Sequence, residues 1–363
     1  MNTGSPPPEV LAVYRSTGAL RIVLLRDGGP LEVLTGPDPL DPAAAAQRSL
    51  QEGDLVLGVV KQVVKELSAA FVDVGEEHAA FLPLSAAPVG CKAGQRLVVR
   101  IERLMPDGKG HRVDARVSLA GPYAVYRPGG APNRRTLLKS MSPEAAEAAF
   151  SHDLHRLTAE WERLSTEAES GPAPRRLGDY GAPLYRALCS LAGPRTGSVR
   201  VDGADLFACV HDEAARLLPE LLPWLSLSVP VGGYGLEAVL GLTDLPDMLR
   251  RRKVHLPSGG SLVLDRTEAL HVLDVNSGKD TRSRAGDPLA LRTNLEAARE
   301  AARQLRLRDL QGIILVDFIR MKTDSDREAV AAAFREASDG DRAKVRLEGF
   351  TRLGLFEATR GWN

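Results

Sequence analysis

Two short runs of the sequence contain the residues best suited to chemistry, and each centres on an aspartate. The first, residues 273–279, reads L-D-V-N-S-G-K and contains Asp274 and Asn276, and the second, residues 314–319, reads I-L-V-D-F-I and contains Asp317. Each aspartate follows an apolar stretch typical of a buried strand. A partly buried carboxylate is costly unless it is paired or bound to a metal. We therefore predict that Asp274 and Asp317 together hold a divalent cation at two strand ends.

Oxygen ligands of this kind favour Mg²⁺. A bound Mg²⁺ could polarise a phosphoryl oxygen and make its water nucleophilic near neutral pH, which phosphodiester cleavage requires. Asn276 lies two residues after Asp274 and therefore on the same side of a strand, where it would orient the water or contact the scissile phosphate. For one isolated aspartate, capping of a turn is the better interpretation. The repetition of the pattern favours a metal site.

The sequence around the first aspartate is strongly basic. Residues 250–308 hold thirteen Lys and Arg against seven Asp and Glu, although the whole chain has 47 of each kind. Concentrated Lys and Arg attract phosphates, so this cluster favours a polyanion as the ligand. A solvated surface is the alternative for any single residue in it.

Residues 293–310 are predicted to form an amphipathic helix. Thr293 and Glu296 fit a capping box at its start, and Gly312 fits its end. A face away from the apolar stripe carries arginines at helical spacing. The candidate phosphate contacts are Lys279, Arg299, Arg303 and Arg306. The alternative is that Arg299 and Arg303 only form ion pairs with Glu296 and Glu300, three residues before each of them.

Residues 53–119 contain five short strands separated by glycines and charged turns, which predicts a small closed barrel of the oligonucleotide-binding type. Phe71 and Phe81 could stack on bases, with His78 and Lys109 beside them. A phenylalanine in a strand is more often part of a core, so the pattern alone leaves both interpretations equal. The motifs G-x-V-x-x-V and A-A-F-V-D-V-G closely resemble an S1 RNA-binding domain, which favours stacking.

The composition is that of a globular protein of two or three domains, with 44% hydrophobic and 26% charged residues among 363. Its three cysteines lie far apart without a C-x-x-C pair, which fits a reducing compartment and offers no zinc site. The first residues lack a basic stretch followed by an apolar one, and no apolar run is long enough to span a bilayer. We expect no signal peptide, no membrane segment and a cytoplasmic location.

Longer stretches resemble the catalytic region of the ribonuclease E/G family, in its short ribonuclease G-like form. They are L-P-S-G-G-S-L-V-L-D before the first aspartate and T-N-L-E-A-A-R-E-A-A-R-Q-L-R-L-R before the second, within a likeness that covers essentially the whole chain. The resemblance implies an α+β fold in which an RNase H-like subdomain carries an inserted S1 (OB-fold) β-barrel and is followed by a DNase I-like catalytic subdomain. The implied divisions are 1–50 and 191–249 for the RNase H-like parts, 51–121 for the S1 domain, 122–190 for a reduced 5′-sensor-like region and 250–363 for the catalytic subdomain.

The same resemblance implies that Asp274, Asn276 and Asp317 are catalytic, that Mg²⁺ is the cofactor, and that single-stranded RNA is cut internally to leave 5′-phosphate ends. The biological setting implied is mRNA decay or the processing of rRNA and tRNA. Phe71 and Phe81, supported by Lys109, would grip the RNA. Two alternatives stay open: a catalytically decayed RNA-binding protein of the same family, and a nuclease that acts on DNA.

Three features depart from the family pattern. The Arg-Thr loop that senses a 5′-monophosphate is expected to be deleted, because K-S-M-S-P-E, residues 139–144, leads straight into the helix that contains Trp161. The C-P-x-C zinc link is absent, so a homodimer through the catalytic subdomain is compatible with the sequence but no zinc-linked tetramer is expected. Arg320 stands where the family usually has an acidic residue. We therefore expect weakened 5′-end sensing and an altered charge near the metal.

Overall fold

The computed structural model describes residues 8–41, 49–105, 109–135, 142–178, 180, 182–193, 195–267, 269–277 and 288–361. The chain divides into two compact units. The first comprises Met1–Asp27 and Leu34–Leu236, and the second comprises Gly28–Val33 and Glu237–Asn363. Within the described part of the chain, none of the helices has the length and apolar character needed to cross a bilayer.

Among the described residues, eleven strands precede the first α-helix, and helices and strands are mixed after it. The strands are β1 (Glu9–Ser16), β2 (Ala19–Arg26), β3 (Gly29–Pro37), β4 (Leu55–Val64), β5 (Ala69–Asp73), β6 (Ala80–Pro83), β7 (Arg96–Arg103), β8 (Arg112–Asp114), β9 (Leu119–Ala120), β10 (Ala124–Tyr126), β11 (Asn133–Arg134), β12 (Arg175–Leu177), β13 (Thr196–Asp202), β14 (Leu225–Ser228), β15 (Lys253–His255), β16 (Ser261–Arg266), β17 (Leu270–Asn276), β18 (Gly312–Asp317), β19 (Val345–Phe350) and β20 (Phe356–Arg360). The α-helices are α1 (Pro143–Ser170), α2 (Pro183–Ser190), α3 (Ala204–Leu217), α4 (Leu236–Val239), α5 (Leu245–Arg250), α6 (Pro288–Leu307) and α7 (Asp324–Ser338).

A five-stranded sheet has the order β14-β13-β1-β2-β3. β1 pairs antiparallel with β2 and parallel with β13, and β13 pairs parallel with β14. The helix α3 connects the two parallel strands, because a parallel pair needs a crossover rather than a tight turn. Residues far apart in sequence therefore share one sheet.

The five-stranded barrel predicted for residues 53–119 is confirmed. β4 pairs with β5, β5 with β6, β6 with β8, β8 with β7, and β7 with β4, which closes the barrel. Its interior is apolar and includes Val72, Leu82, Val99 and Ile101, all of them fully buried. β12 pairs with Leu55, Val56 and Leu57 at the start of β4, which β5 does not reach. The result is consistent with an S1 or OB-like subdomain.

The predicted helix that contains Trp161 is confirmed as α1. The Ser142 side chain accepts a hydrogen bond from the Ala145 N–H at 3.2 Å, and Pro143 occupies the first turn. Leu157 and Leu164 are fully buried in a cluster that includes side chains of β4. α1 therefore packs on the outside of the barrel.

The second unit is built on a six-stranded sheet in the order β15-β16-β17-β18-β20-β19. β17 and β18 are parallel, and the other neighbours are antiparallel. α6 and α7 cover one face, where Leu273, Val316 and Phe334 belong to a buried apolar cluster. We call the other face of this sheet the open face. On β17 and β18 it carries Leu270, Val272, Asp274, Asn276, Ile313, Leu315 and Asp317.

Candidate active site

Asp274 and Asp317 lie side by side on the open face. β17 and β18 run parallel in a register that places these two residues directly opposite each other. Their neighbours Leu273, Val275 and Val316 point into the core and are at most 6% exposed, so strand alternation directs both carboxylates outward. Neighbouring strands are about 4.8 Å apart, which brings two negative charges close together. A bound cation relieves such repulsion.

The local environment of the pair differs in two ways from the prediction. Asp317 is the last residue of β18, as expected, but β17 continues past Asp274 as far as Asn276. Both carboxylates are exposed rather than partly buried. Burial therefore does not force them to bind a metal, and the argument for a cation rests on their proximity and on their oxygen chemistry.

Asn276 completes the group. Its side-chain N–H donates to Asp274 Oδ2 at 2.7 Å, which fixes the amide orientation and leaves the amide oxygen as an acceptor. Asp317 has no hydrogen-bond or ion-pair partner within the described ranges. Two carboxylates form an oxygen donor set of the type that binds Mg²⁺, which usually takes only one or two carboxylates from the protein, and the Asn276 amide oxygen lies beside them. Among the described residues no group of three or more His, Cys, Asp and Glu could hold a metal.

Asn294 fixes the chain just beyond Asp317. It is fully buried on α6, and its side-chain N–H donates to the carbonyl oxygen of Ile319 at 2.7 Å while its side-chain oxygen accepts from the Ile319 N–H at 3.0 Å. Sequence reasoning missed this residue. A signal was present, because Asn294 lies four residues from both Ala290 and Ala298 and is therefore a polar residue on the apolar stripe.

The turn between β15 and β16 is held by the same helix. The Ser258 N–H donates to Glu296 Oε2 at 2.7 Å, and the Thr293 hydroxyl donates to the Ser258 hydroxyl at 3.2 Å. Gly260 in this turn lies so close to the Asn276 carbonyl that an added Cβ would stand 2.7 Å from that oxygen. The turn thus contacts the end of β17, and a larger residue than glycine would displace it.

These contacts correct the predicted start of the helix. α6 begins at Pro288, five residues before Thr293, and ends at Leu307. Thr293 and Glu296 therefore do not form a capping box. Their side chains bind Ser258 in the neighbouring turn, a partner that local sequence cannot indicate.

The predicted arginine face of α6 lies elsewhere than on the carboxylate side. α6 packs on the core face of the sheet, whereas the carboxylates project from the open face. Arg306 is only 7% exposed and forms an ion pair with Glu32 at 2.7 Å, so the structure replaces its predicted phosphate contact with a buried ion pair. Arg303 pairs with Glu300 at 2.6 Å, which is the alternative considered from the sequence. Arg299 is exposed, and Lys279 lies outside the described residues.

Phe71 and Phe81 lie on the outside of the barrel. They are direct cross-strand partners, with ring centroids 6.1 Å apart in an edge-to-face arrangement. Both are partly exposed, while Ala70, Val72, Ala80 and Leu82 beside them are fully buried. Their exposure favours a surface role over a core role.

The loop that carries Lys109 adjoins these aromatic residues. The Phe81 N–H donates to the His111 carbonyl at 2.7 Å, and Gly110 lies against the backbone of Ala79. Lys109 is exposed there. An aromatic pair with a lysine on an adjoining loop suits the binding of unstacked bases and phosphates. His78 is also exposed, in the turn before β6.

Arginines near the expected 5′-sensor region are engaged with other groups. Arg134 pairs with Glu147 and stacks on the Phe150 ring at 4.3 Å, and Arg135 donates to the Gly121 carbonyl at 3.0 Å. Residues 136–141, where the sensor loop was expected to be deleted, lie outside the described part of the chain.

A separate groove of about 670 Å³ in the first unit is lined by residues of α1, α2 and α3. The Tyr180 hydroxyl donates to Glu160 Oε1 at 2.6 Å, and Arg163 donates to the same carboxylate at 2.8 Å. These hydrogen bonds, that from Arg163 first, lower the pKa of Glu160 to about 2 although burial opposes the change. None of the predicted catalytic residues lines this groove.

Comparison with known families decides the assignment of the chain. The model of the Ribonuclease E/G family matches residues 119–363, which is well over half of the sequence and includes both aspartates. The chain belongs to the ribonuclease E/G family. This confirms the resemblance seen in the sequence.

Individual members of the ribonuclease E/G family are similar over most of the chain. Ribonuclease E of Escherichia coli strain K12 is 32% identical over 359 residues, a match that covers 85% of this chain and 33% of that protein. Ribonuclease E of Nostoc is 29% identical, with 93% and 55% covered. Ribonuclease G of Salmonella typhimurium is 31% identical, with 85% and 72% covered. The chain thus spans between a third and about a half of these ribonucleases E.

Proposed function

We propose that this chain is a Mg²⁺-dependent endoribonuclease that hydrolyses single-stranded RNA. Water attacks the phosphorus, the bond from phosphorus to the 3′ oxygen breaks, and the products carry a 5′-phosphate and a 3′-hydroxyl. The observation that carries the proposal is the direct opposition of Asp274 and Asp317 on parallel strands, with Asn276 hydrogen-bonded to the first. Family membership supports the same reaction, since the similar proteins are named as ribonucleases.

Each residue has a distinct part in this proposal. Asp274 and Asp317 would hold the Mg²⁺, which when bound supplies charge neutralisation and lowers the pKa of water. Asn276 keeps Asp274 in place through its N–H, and its free amide oxygen can accept a hydrogen bond from the attacking water. Asn294 keeps the chain after Asp317 fixed. Arg320 is exposed three residues after Asp317 and adds a positive charge beside the carboxylates.

The barrel would bind the RNA. Phe71 and Phe81 offer partly exposed rings on which bases can stack, and Lys109 offers a charge for phosphate. Stacking tolerates any base, so it suits an enzyme that acts on many single-stranded regions. Lys279 stays a proposed RNA contact, and Arg299 stays one away from the carboxylates, because α6 covers the other face of the sheet. Arg303 and Arg306 are not proposed as contacts, because of their ion pairs.

The subdomain divisions also stand as proposals. We infer an RNase H-like subdomain for the sheet formed by β1, β2, β3, β13 and β14, which the barrel residues interrupt in sequence. Support comes from its antiparallel β1–β2 pair flanked by the parallel strands β13 and β14. We infer a DNase I-like catalytic subdomain for residues 250–363, with the S1 domain at 51–121 and a reduced sensor region at 122–190.

The biological role proposed is mRNA decay or the maturation of rRNA and tRNA, with weakened sensing of the 5′-monophosphate. A homodimer through residues 250–363 is compatible with this role.

The test of the reaction class is product analysis of a 5′-labelled, unstructured oligoribonucleotide incubated with the protein and Mg²⁺. Internal cuts with 5′-phosphate and 3′-hydroxyl ends are expected. Cyclic phosphate ends, or cleavage of DNA at an equal rate, would contradict the proposal, and binding without cleavage would indicate the decayed alternative.

A further inference from the structure

β15, at the edge of the sheet, continues the row of side chains that contains the two aspartates. Lys253 pairs with Val263, Val263 pairs with Asp274, and Asp274 pairs with Asp317. Directly opposed residues on neighbouring strands project from the same face. Val254, the next residue of β15, packs against the core, which confirms that Lys253 belongs to the open face. One row of side chains therefore crosses four strands and places Lys253 in line with the two carboxylates.

A second row runs parallel to the first. His255 pairs with Ser261, and Ser261 pairs with Asn276. His255 is exposed on the open face, two residues along β15 from Lys253. The edge strand thus presents two groups that can donate hydrogen bonds to phosphate, one in each row of the predicted site.

The position of Lys253 on the edge strand lets its side chain reach a phosphate next to the one at Asp274. Two strand spacings put the Cα atoms of Lys253 and Asp274 about 10 Å apart. Val263 lies between them as a partly exposed apolar side chain. The four-carbon stem of a lysine can lie along such a surface while its ammonium group stays in water. Its charge is then close to a phosphate next to the one at Asp274, rather than to that phosphate itself.

Charge on the open face is distributed unevenly. Lys253 has no ion-pair or hydrogen-bond partner in the part of the chain that is described, whereas its neighbour Arg252 pairs with Asp265 at 2.5 Å. On the opposite side of the carboxylates, the exposed Glu357 of β20 pairs in register with Leu315 and so belongs to the open face. A polyanion would be attracted toward β15 and repelled from β20.

We infer that Lys253 and His255 bind the RNA backbone beside the scissile phosphate, so that the single strand crosses the sheet over Val263 toward β15. The inference rests on the proposed function for the identity of the ligand. It adds a phosphate subsite and a direction for the RNA on the catalytic unit. Lys253 acts as a substrate-binding residue here and takes no part in bond breaking.

The test removes the contact between Lys253 and the phosphate in two ways, first by a change in the RNA and then by a change in the protein. Oligoribonucleotides in which one phosphate near the cleavage site is a neutral methylphosphonate are compared with the unmodified strand, using wild type and Lys253→Met. At one position, the neutral phosphate is expected to lower kcat/KM of the wild type about tenfold, as expected for loss of one charged hydrogen bond. In Lys253→Met, the neutral phosphate at that position should change kcat/KM little, because the contact is already lost. Lys344→Met is the matched control, because Lys344 is exposed beside the start of β19, at the other end of the sheet.

Two outcomes decide the inference. Loss of the methylphosphonate effect at one position in Lys253→Met, but not in Lys344→Met, supports the subsite, and a smaller loss in His255→Ala at a neighbouring position extends it. Equal methylphosphonate effects in wild type, Lys253→Met and Lys344→Met at every position would overturn it.

Binding measurements keep the inference separate from the cleavage reaction. If the wild type does not cleave RNA, the proposed function fails, and the contact is read from fluorescence anisotropy of the same oligoribonucleotides at increasing salt. Lys253→Met should then reduce the slope of log Kd against log salt by about 0.7, the value for one phosphate of a single strand. A slope equal to that of wild type and Lys344→Met would overturn the inference.

Discussion

The side-chain amide of Asn294 holds the backbone of Ile319 at both its N–H and its carbonyl, at 3.0 Å and 2.7 Å. Ile319 follows Asp317 by two residues, so a buried polar group on α6 fixes the exit of the strand that presents one of the two carboxylates. The helix that covers the core face of the sheet thereby determines geometry on the open face.

Asn294→Ala should lower kcat for RNA cleavage by about a hundredfold, because small displacements of a reacting group have effects of that order. The RNA dissociation constant should stay close to that of the wild type. Gln304→Ala is the matched control, since Gln304 is an equally buried amide on α6 that bonds Glu300 and Arg308 instead. Steady-state kinetics measure the loss of kcat, and urea unfolding measures the loss of stability, so the two effects can be separated. Equal activity losses in both variants would reduce Asn294 to a stability residue.

Phe71→Ala and Phe81→Ala should each weaken binding of single-stranded RNA by about 1–3 kcal/mol, the range for loss of one stacked base. The free energy of unfolding should change little, because both rings lie outside the barrel core. Val72→Ala is the matched control. It should lower the free energy of unfolding and leave the RNA affinity unchanged, because Val72 is fully buried in the barrel core. Anisotropy titrations and thermal melts provide the two readouts. Unchanged RNA affinity in both Phe variants would exclude the stacking role.

Glu32→Gln should lower the free energy of unfolding by about 3–5 kcal/mol, because it leaves the buried Arg306 guanidinium without its ion-pair partner and removes one of the two carboxylates that pair with Arg342. Glu32 is fully buried and pairs with both Arg306 and Arg342. Asp324→Asn, which removes an exposed pair with Arg327, should cost less than about 1 kcal/mol. Urea titrations measure both. A small effect at Glu32 would contradict the description of Arg306 and Glu32 as a buried ion pair that stabilises the fold.

Substrates with a 5′-triphosphate and a 5′-monophosphate should be cleaved at nearly equal rates. The reason is the expected loss of the sensor loop, together with the engagement of Arg134, Arg135 and Arg175 with protein partners. Competition between the two labelled substrates in one reaction measures the ratio directly. A strong preference for the monophosphate would show that an arginine of this region, Arg176 among them, has taken over sensing.

Strand alternation allowed much of the site to be predicted from the sequence. The spacing of Asp274 and Asn276 placed them on one face because side chains of a strand alternate. The closed barrel was also predictable, from five strands with regular turns. The same alternation could have resolved the position of Phe71 and Phe81, since small or apolar residues destined for the core precede and follow each of them.

Long-range partners account for what the sequence missed. The register that opposes Asp274 and Asp317 joins strands separated by an entire helix, and no local pattern specifies it. The spacing of Thr293 and Glu296 fits a capping box, but both side chains bind Ser258 in a neighbouring turn instead. Arg306 is neutralised by Glu32, which lies 274 residues away. A pattern of charges on a helix therefore does not distinguish a solvent-facing surface from an ion pair formed across the fold.

The most direct test of the central claim compares wild type, Asp274→Asn and Asp317→Asn in cleavage of an unstructured oligoribonucleotide with Mg²⁺ and after its removal by a chelator. Asp339→Asn, a change in an exposed carboxylate just after α7, serves as the control. We predict Mg²⁺-dependent internal cleavage by wild type and control, and loss of cleavage with retained RNA binding in both site variants. Undiminished cleavage by Asp274→Asn and Asp317→Asn would contradict the assignment of the two carboxylates as the catalytic metal ligands.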